Sequence, residues 1–156
     1  LAWRRGGRMF QGAVQLNLDA KGRMAIPARH RDALLQSGEG RLVLTAHPHR
    51  CLLLYPALAW EPIRAKILAA PSLESQSAMV RRLLVGFAED MEMDSAGRIL
   101  VSPSLRQYAG LEKEVWLVGQ GNGLELWSGA GWKAQQEAIF AQGDKLLPPG
   151  LADLAL

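Results

Sequence analysis

Val14, Leu16 and Leu18 alternate with Gln15 and Asn17, the period-two pattern of a strand with one buried face. Apolar residues resume at Met24–Ile26 after DAKGR (Asp19–Arg23), so residues 13–26 are expected to form a hairpin. The pattern returns around DSAGR (Asp94–Arg98), with Phe87–Met93 leading in and Arg98–Val101 leading out. Pro27 and Pro103 end these segments and suit a first helical turn, where a missing N–H costs nothing. Helices are expected over 28–36 and 104–109. Apolar runs over 42–45 and 51–55 read as a strand pair, matched by 114–118 and 123–127 around the turn GQGNG at 119–123. Further helices are expected over 57–69 and 74–85, separated at Pro71-Ser72, and over 130–142. Met79, Val80, Leu83 and Leu84 would form an apolar stripe on the 74–85 helix, with Gly86 its stop. The segment after Gly143, with Pro148-Pro149-Gly150, reads as a loose tail whose Leu151, Leu154 and Leu156 are free to dock.

Aligned on Asp19 and Asp94, the two halves run in one order: turn, apolar strand, proline, short helix, strand, loop, strand, aromatic residue, helix. RLVLT and CLLLYP before Trp60 correspond to EVWLV and GLELWS before Trp132, and the second copy has one residue more before its proline. Two copies are too few for a solenoid, so packing about a pseudo-twofold axis is the natural arrangement. The shared D-x-x-G-R has a physical logic. An aspartate at the head of a turn accepts hydrogen bonds from backbone N–H groups two or three residues on. Gly22 and Gly97 can take the positive φ of a tight turn. Arg23 and Arg98 then leave the turn, where the aspartate can brace them by an ion pair. One such turn would be explained by a solvated arginine on a capped hairpin. The duplication, with Lys21, Arg29 and Arg31 near the first copy, points instead to an anion. A guanidinium fork matches phosphate oxygens or the O6/N7 edge of guanine, and a two-stranded ribbon fits the major groove.

Charge changes the picture only through its distribution. The net charge of +3 is supplied by Arg4, Arg5 and Arg8 alone, which leaves residues 9–156 balanced. Residues 1–82 carry 13 basic and 5 acidic side chains, whereas residues 83–156 carry 5 and 10. This asymmetry suits one end facing an anion and favours head-to-tail self-association, the contact type that closes rings. No apolar run approaches the ~20 residues that span a bilayer, and a single cysteine, Cys51, fits a reducing cytoplasm. Residues 1–8 lack the pattern of a secretory signal and read as an extension ahead of Met9, expected to be disordered.

Other chemistries find little support. His47, His49 and Cys51 offer three metal-ligand types within five residues, but Pro48 stiffens the stretch and no second ligand cluster appears, so no metal is expected. G-x-S-x-G, P-loop, H-E-x-x-H and strand-linked G-x-G-x-x-G motifs are lacking, so neither a catalytic residue nor a cofactor is expected. Glu89, Asp90, Glu92 and Asp94 lie along a strand whose alternate residues face opposite sides, which suits a solvated edge better than a cation site. Trp60, Trp116, Trp127 and Trp132 are expected to pack at equivalent points of the repeat core.

The stretches MFQGAVQLNLDAKGRMAIPARHRDALL, CLLLYP with Trp60, and RRLLVGFAEDMEMDSAGRILVSPSLRQYAGLEKEVWLVGQGNGLELW resemble the MraZ family of bacterial transcriptional regulators, from Met9 to about Trp132. The resemblance implies an α+β, β-rich fold. In it two tandem AbrB/SpoVT-like swapped-hairpin β-α-β units would form one pseudo-twofold, double-psi-like barrel with peripheral helices. The units would span 9–70 and 87–142, joined by a connecting helix at 71–86 and followed by a tail at 143–156. It further implies a ring-shaped homo-oligomer in the bacterial cytoplasm, associated with the nucleoid. Its ligand would be double-stranded DNA, at tandem promoter repeats of the division and cell-wall gene cluster, with repression as the outcome. The family's D-x-x-x-R motif falls on Asp19/Arg23 and Asp94/Arg98. With the basic residues around it, the expected DNA-binding set is Asp19, Lys21, Gly22, Arg23, Arg29, Arg31, Asp94, Gly97 and Arg98. Swapped-hairpin units also occur in antitoxins, so an antitoxin-like or scaffolding protein-interaction module is the alternative.

Overall fold

The computed structural model describes residues 9–36 and 39–156; the extension 1–8 lies outside them. The strands are β1 (Ala13–Asn17), β2 (Arg23–Ala25), β3 (Arg41–His47), β4 (Cys51–Pro56), β5 (Glu89–Glu92), β6 (Arg98–Leu100), β7 (Glu114–Gly119) and β8 (Leu124–Ser128). The helices are α1 (Ala28–Gln36), α2 (Ala57–Ala69), α3 (Ser75–Val80), α4 (Pro103–Ala109) and α5 (Gly129–Gln142). A π-turn over Arg81–Val85 continues α3, and two short 3-10 turns, Gly143–Leu146 and Pro149–Leu151, follow α5. The chain is therefore mixed α+β and sheet-rich.

Six strands form one antiparallel sheet in the order β1-β7-β8-β4-β3-β5, and β2 pairs with β6 in a separate two-stranded ladder. The order is palindromic under the repeat, since β1, β7 and β8 on one side of the sheet correspond to β5, β3 and β4 on the other side. It is also linear, with β1 and β5 at its two edges.

This pairing corrects the expected local hairpins. The turns close, with Asp19 N donating to Arg23 O at 2.8 Å and Asp94 N to Arg98 O at 2.9 Å, but the strands on either side of each turn then part. β1 crosses to β7 of the second copy and β5 crosses to β3 of the first. Periodicity fixes which face of a strand is apolar and leaves its neighbour open.

Alternation along the central strands builds the core on both faces of the sheet. Leu42, Leu44, Leu52, Leu54, Val115, Leu117, Leu124 and Leu126 face one way, onto Met24 and Ile99 of the ladder, Ile26 just after β2, and Leu34 and Leu105 of α1 and α4. Val43, Leu53 and Tyr55 face the other way, onto Trp60 of α2, and Cys51, Val118 and Trp127 pack near Trp116 and Trp132. Each fully buried side chain of this kind contributes about 1.5–3 kcal/mol. Thr45, buried among them, donates to Leu84 O at 2.6 Å. The expected stripe on residues 74–85 is only half formed. The π-turn inserts extra backbone at Arg81–Val85, so Leu83 and Leu84 pack inward while Met79 and Val80 stay exposed.

Candidate nucleic-acid interface

Each D-x-x-G-R segment folds by the same local chemistry. Asp19 Oδ1 accepts from the amides of Lys21 and Arg23 at 2.9 Å each, and Oδ2 accepts from Arg23 Nε at 2.8 Å. Asp94 does the same with Ala96 N, Arg98 N and Arg98 Nε, at 2.9, 2.9 and 2.8 Å. The carboxylate thus caps amides two and four residues on. Gly22 at φ +85° and Gly97 at φ +74° supply the left-handed backbone that lets the chain turn back. Hydrogen bonds from the arginine amide, then from its side chain and from the intervening amide, hold both carboxyls below the ordinary value of 3.8, against a partial opposing effect of desolvation. Both aspartates are therefore ionised acceptors at neutral pH.

The β2–β6 ladder decides where the arginines stand. Its register pairs Arg23 with Leu100, Met24 with Ile99 and Ala25 with Arg98. Met24 and Ile99, each 1% exposed, sit at the pseudo-twofold centre and seal the inner face. Cross-strand partners share a face, so Arg23, Ala25, Arg98 and Leu100 form the outer one. Arg23 and Arg98 are diagonal neighbours there, a relation that places Cα atoms about 7–8 Å apart. Their side chains are 33% and 38% exposed, tethered at Nε by aspartate and not sealed beneath other groups. The surface is a narrow ribbon with two oriented guanidinium groups beside the half-exposed Leu100.

The other expected residues take different stations. Lys21 is exposed at the apex of the first turn, and Ala96 occupies the equivalent point of the second. Arg29 is exposed, with its guanidinium beside Gly12. Arg31 is half-buried; its Nε donates to Ile26 O at 3.1 Å, and its side chain lies against Gly97 of the opposite turn. Two residues of this region were not anticipated. Arg106 is the counterpart of Arg31: its Nε donates to Val101 O at 3.0 Å and its side chain lies against Gly22. Leu100, 54% exposed, lies on the outer face opposite Arg23, at the end of the ladder. A constant offset of 75 residues carried past the prolines aligns Arg31 with Arg106, whereas aligning on Pro27 and Pro103 hides the match. Alternation around Ile99 would have placed Leu100 outward.

His47, His49 and Cys51 are not brought together as a ligand set. Cys51 is buried beside Trp127 and Val118, where burial pushes its thiol well above the usual range, and His47 Nδ1 accepts from His49 N at 2.9 Å. A cleft of about 800 Å³ opens beside α2, on the sheet face carrying Val43, and is lined by Arg41, Trp60, Arg64, Asp90 and Glu92 among others. No turn residue lines it.

The repeated architecture coincides with a repeated sequence family. The family model described as "MraZ protein, putative antitoxin-like" matches twice, over residues 9–83 and 84–145, and the chain belongs to this family. Among its relatives, the Transcriptional regulator MraZ of Dechloromonas aromatica is 63% identical over 150 residues, covering 95% of this chain and all of the relative. That of Aromatoleum aromaticum is 62% identical over 148 residues, and that of Nitrosomonas europaea 51% over 148, each with the same coverage.

Proposed function

We propose that the chain is a sequence-specific DNA-binding transcriptional regulator that reads the major groove with the outer face of the β2–β6 ribbon. The observation that carries this reading is the placement of Arg23 and Arg98 on one exposed face, each aimed by its own aspartate. Fixed guanidinium forks suit the O6/N7 edge of guanine, and an apolar group beside them suits a thymine methyl. In this reading Arg23 and Arg98 read bases, with Leu100 beside them. Asp19, Gly22, Asp94 and Gly97 shape the loops, and Lys21 and Arg29 meet phosphates. Arg31 belongs to the same surface through the turn it touches. The names of the relatives supply the regulatory context.

A single ribbon reads few bases, so useful specificity calls for several subunits on tandem repeats, gained through effective concentration. Repression of the division and cell-wall gene cluster by a ring-shaped homo-oligomer in a bacterial cytoplasm, at the nucleoid, is the biological form of this proposal. The exchange of β1 and β5 between copies supports the swapped-hairpin description, with the β2–β6 ladder as the centre of a barrel-like unit. A second reading, an antitoxin-like or scaffolding module, has in its favour the exposed Phe140, Leu147 and Leu151 of α5 and the tail.

The test is retention of DNA recovered by selection from random oligonucleotides. Arg23→Ala should abolish the specific gel shift while light scattering gives an unchanged oligomer mass. Wild-type affinity should fall steeply with salt as counterions are released. An undiminished shift for Arg23→Ala would remove the base-reading role, and the absence of any selected DNA would favour the protein-binding module.

A further inference from the structure

The two turns are not independent fingers. Gly22 O accepts from Val101 N at 2.8 Å, and Gly97 O accepts from Ile26 N at 2.9 Å, so each turn is bonded to backbone of the opposite repeat. Val101 and Ile26 are in turn gripped through their own carbonyls by Arg106 Nε at 3.0 Å and Arg31 Nε at 3.1 Å. The same two arginines lie over the turn glycines. A β-carbon on Gly22 would stand 2.8 Å from Arg106 Cζ and Nε, and one on Gly97 would stand 2.6 Å from Arg31 Nε. The contact pattern obeys the pseudo-twofold axis: Arg31 and Arg106 are 75 residues apart, as are Ile26 and Val101, and Gly22 and Gly97.

We propose that Arg106 is the positioning residue of the Asp19–Arg23 turn and Arg31 that of the Asp94–Arg98 turn, so that each repeat holds the other's recognition loop. The proposal deepens the DNA-binding reading and rests on it for its functional half. Arg106 and Arg31 act through the carbonyl of the residue that receives the turn and through the guanidinium that fills the space left by glycine. Affinity depends on them because a loop already ordered in its bound shape loses less conformational freedom on binding. Lys21 and Arg23 therefore depend on a residue more than 80 positions away in the chain, and the two loops gain or lose order crosswise.

The experiment uses the full chain and two readouts. In Arg106→Met, amide hydrogen exchange at Lys21, Gly22 and Arg23 should accelerate by about tenfold while Ala96, Gly97 and Arg98 keep their rates. Arg31→Met should do the reverse. If either methionine variant does not fold, the lysine variant at the same position keeps the stem and charge, loses the Nε donor, and should show the same crosswise direction. DNA affinity of Arg106→Met should fall by about tenfold. Acceleration confined to the substituted repeat, or none in either, overturns the cross-brace. Weakened DNA binding with unchanged exchange would make Arg106 a direct DNA contact and equally overturn it. Crosswise loosening with full DNA affinity would leave the brace standing and remove the DNA-reading role of the turns.

Discussion

The turn at Asp19–Arg23 and the turn at Asp94–Arg98 share the same five hydrogen bonds to within 0.1 Å, yet they differ in charge. Lys21 in one is Ala96 in the other, and Arg29 in the following helix corresponds to Ser104. The strands leading in diverge further: β1 reads AVQLN and β5 reads EDME. The difference separates what makes the loop from what the loop does. Aspartate, glycine and arginine are each used by the geometry. The residue at position 21 or 96 contributes only its amide, so its side chain can carry a charge or none without disturbing the turn. The first loop is the stronger electrostatic partner for an anion, and the second carries equal geometry beside carboxylates, one of which, Glu89, accepts a bond from Ser102 Oγ at 2.7 Å.

The largest effect should come from attacking the shared geometry. Gly22→Ala places a β-carbon 2.9 Å from the Val101 carbonyl oxygen as well as against Arg106, at a backbone angle that alanine resists. Thermal or denaturant unfolding should show a loss of about 1–3 kcal/mol, the scale of backbone strain at such positions. For Gly97→Ala the three nearest atoms all belong to the Arg31 side chain, so its cost should be the smaller of the two. Equal costs would argue that φ alone sets the penalty.

A second difference between the halves concerns pH. His30 of α1 is 4% exposed, its Nε2 lacks a partner among the described residues, and its counterpart in α4 is the buried Leu105. Burial, aided by Arg29, holds the imidazole below its ordinary value of 6.5. The unfolded chain therefore binds the proton more readily, and the stability contributed by neutral His30 is present above 6.5 and lost as pH falls toward the depressed folded value. His30→Leu, which copies the second repeat, should flatten the dependence of unfolding midpoint on pH in that window. An unchanged slope would assign it elsewhere. At lower pH both aspartates behave alike: stability from Asp19 and Asp94 is present above the ordinary 3.8 and lost as pH falls through their depressed folded values. The Gly22 and Gly97 amide resonances should shift together in an acid titration, and separate transitions would show that the matching geometry hides unequal strength.

The smallest and most selective change exchanges the apex residues. Lys21→Ala should weaken DNA binding and reduce the steepness of its salt dependence, by about one unit of slope for each phosphate no longer neutralised. Ala96→Lys should do the opposite without altering stability. If both leave the slope untouched, the first loop's extra charge faces solvent alone.

Much of this molecule can be read from residues close together in the chain. The helix expected over 57–69 is α2, and the apolar runs at 42–45 and 51–55 fall within β3 and β4, because local periodicity and flanking prolines report local structure. Pairing is a property of distant segments, which is why β1 and β2 read as a hairpin and are not one. The turn chemistry of Asp19 and Gly22 is legible because it is written within five residues. Arg106 is not, because its contact with Gly22 exists only once the halves have interlocked, and because Pro103 stands one step out of register with Pro27. The π-turn at Arg81–Val85 leaves no local mark, so periodicity alone joins the exposed Met79 and Val80 of α3 to a stripe that only Leu83 and Leu84 form.

Trading β1 for β5 means that neither half owns a finished sheet. A peptide-bond cut near Gly86 would sever the covalent thread and leave two pieces still clasped, each supplying the other's outermost strand. The chain should thus melt in a single step, and its halves, made as separate polypeptides, should become ordered only in one another's company.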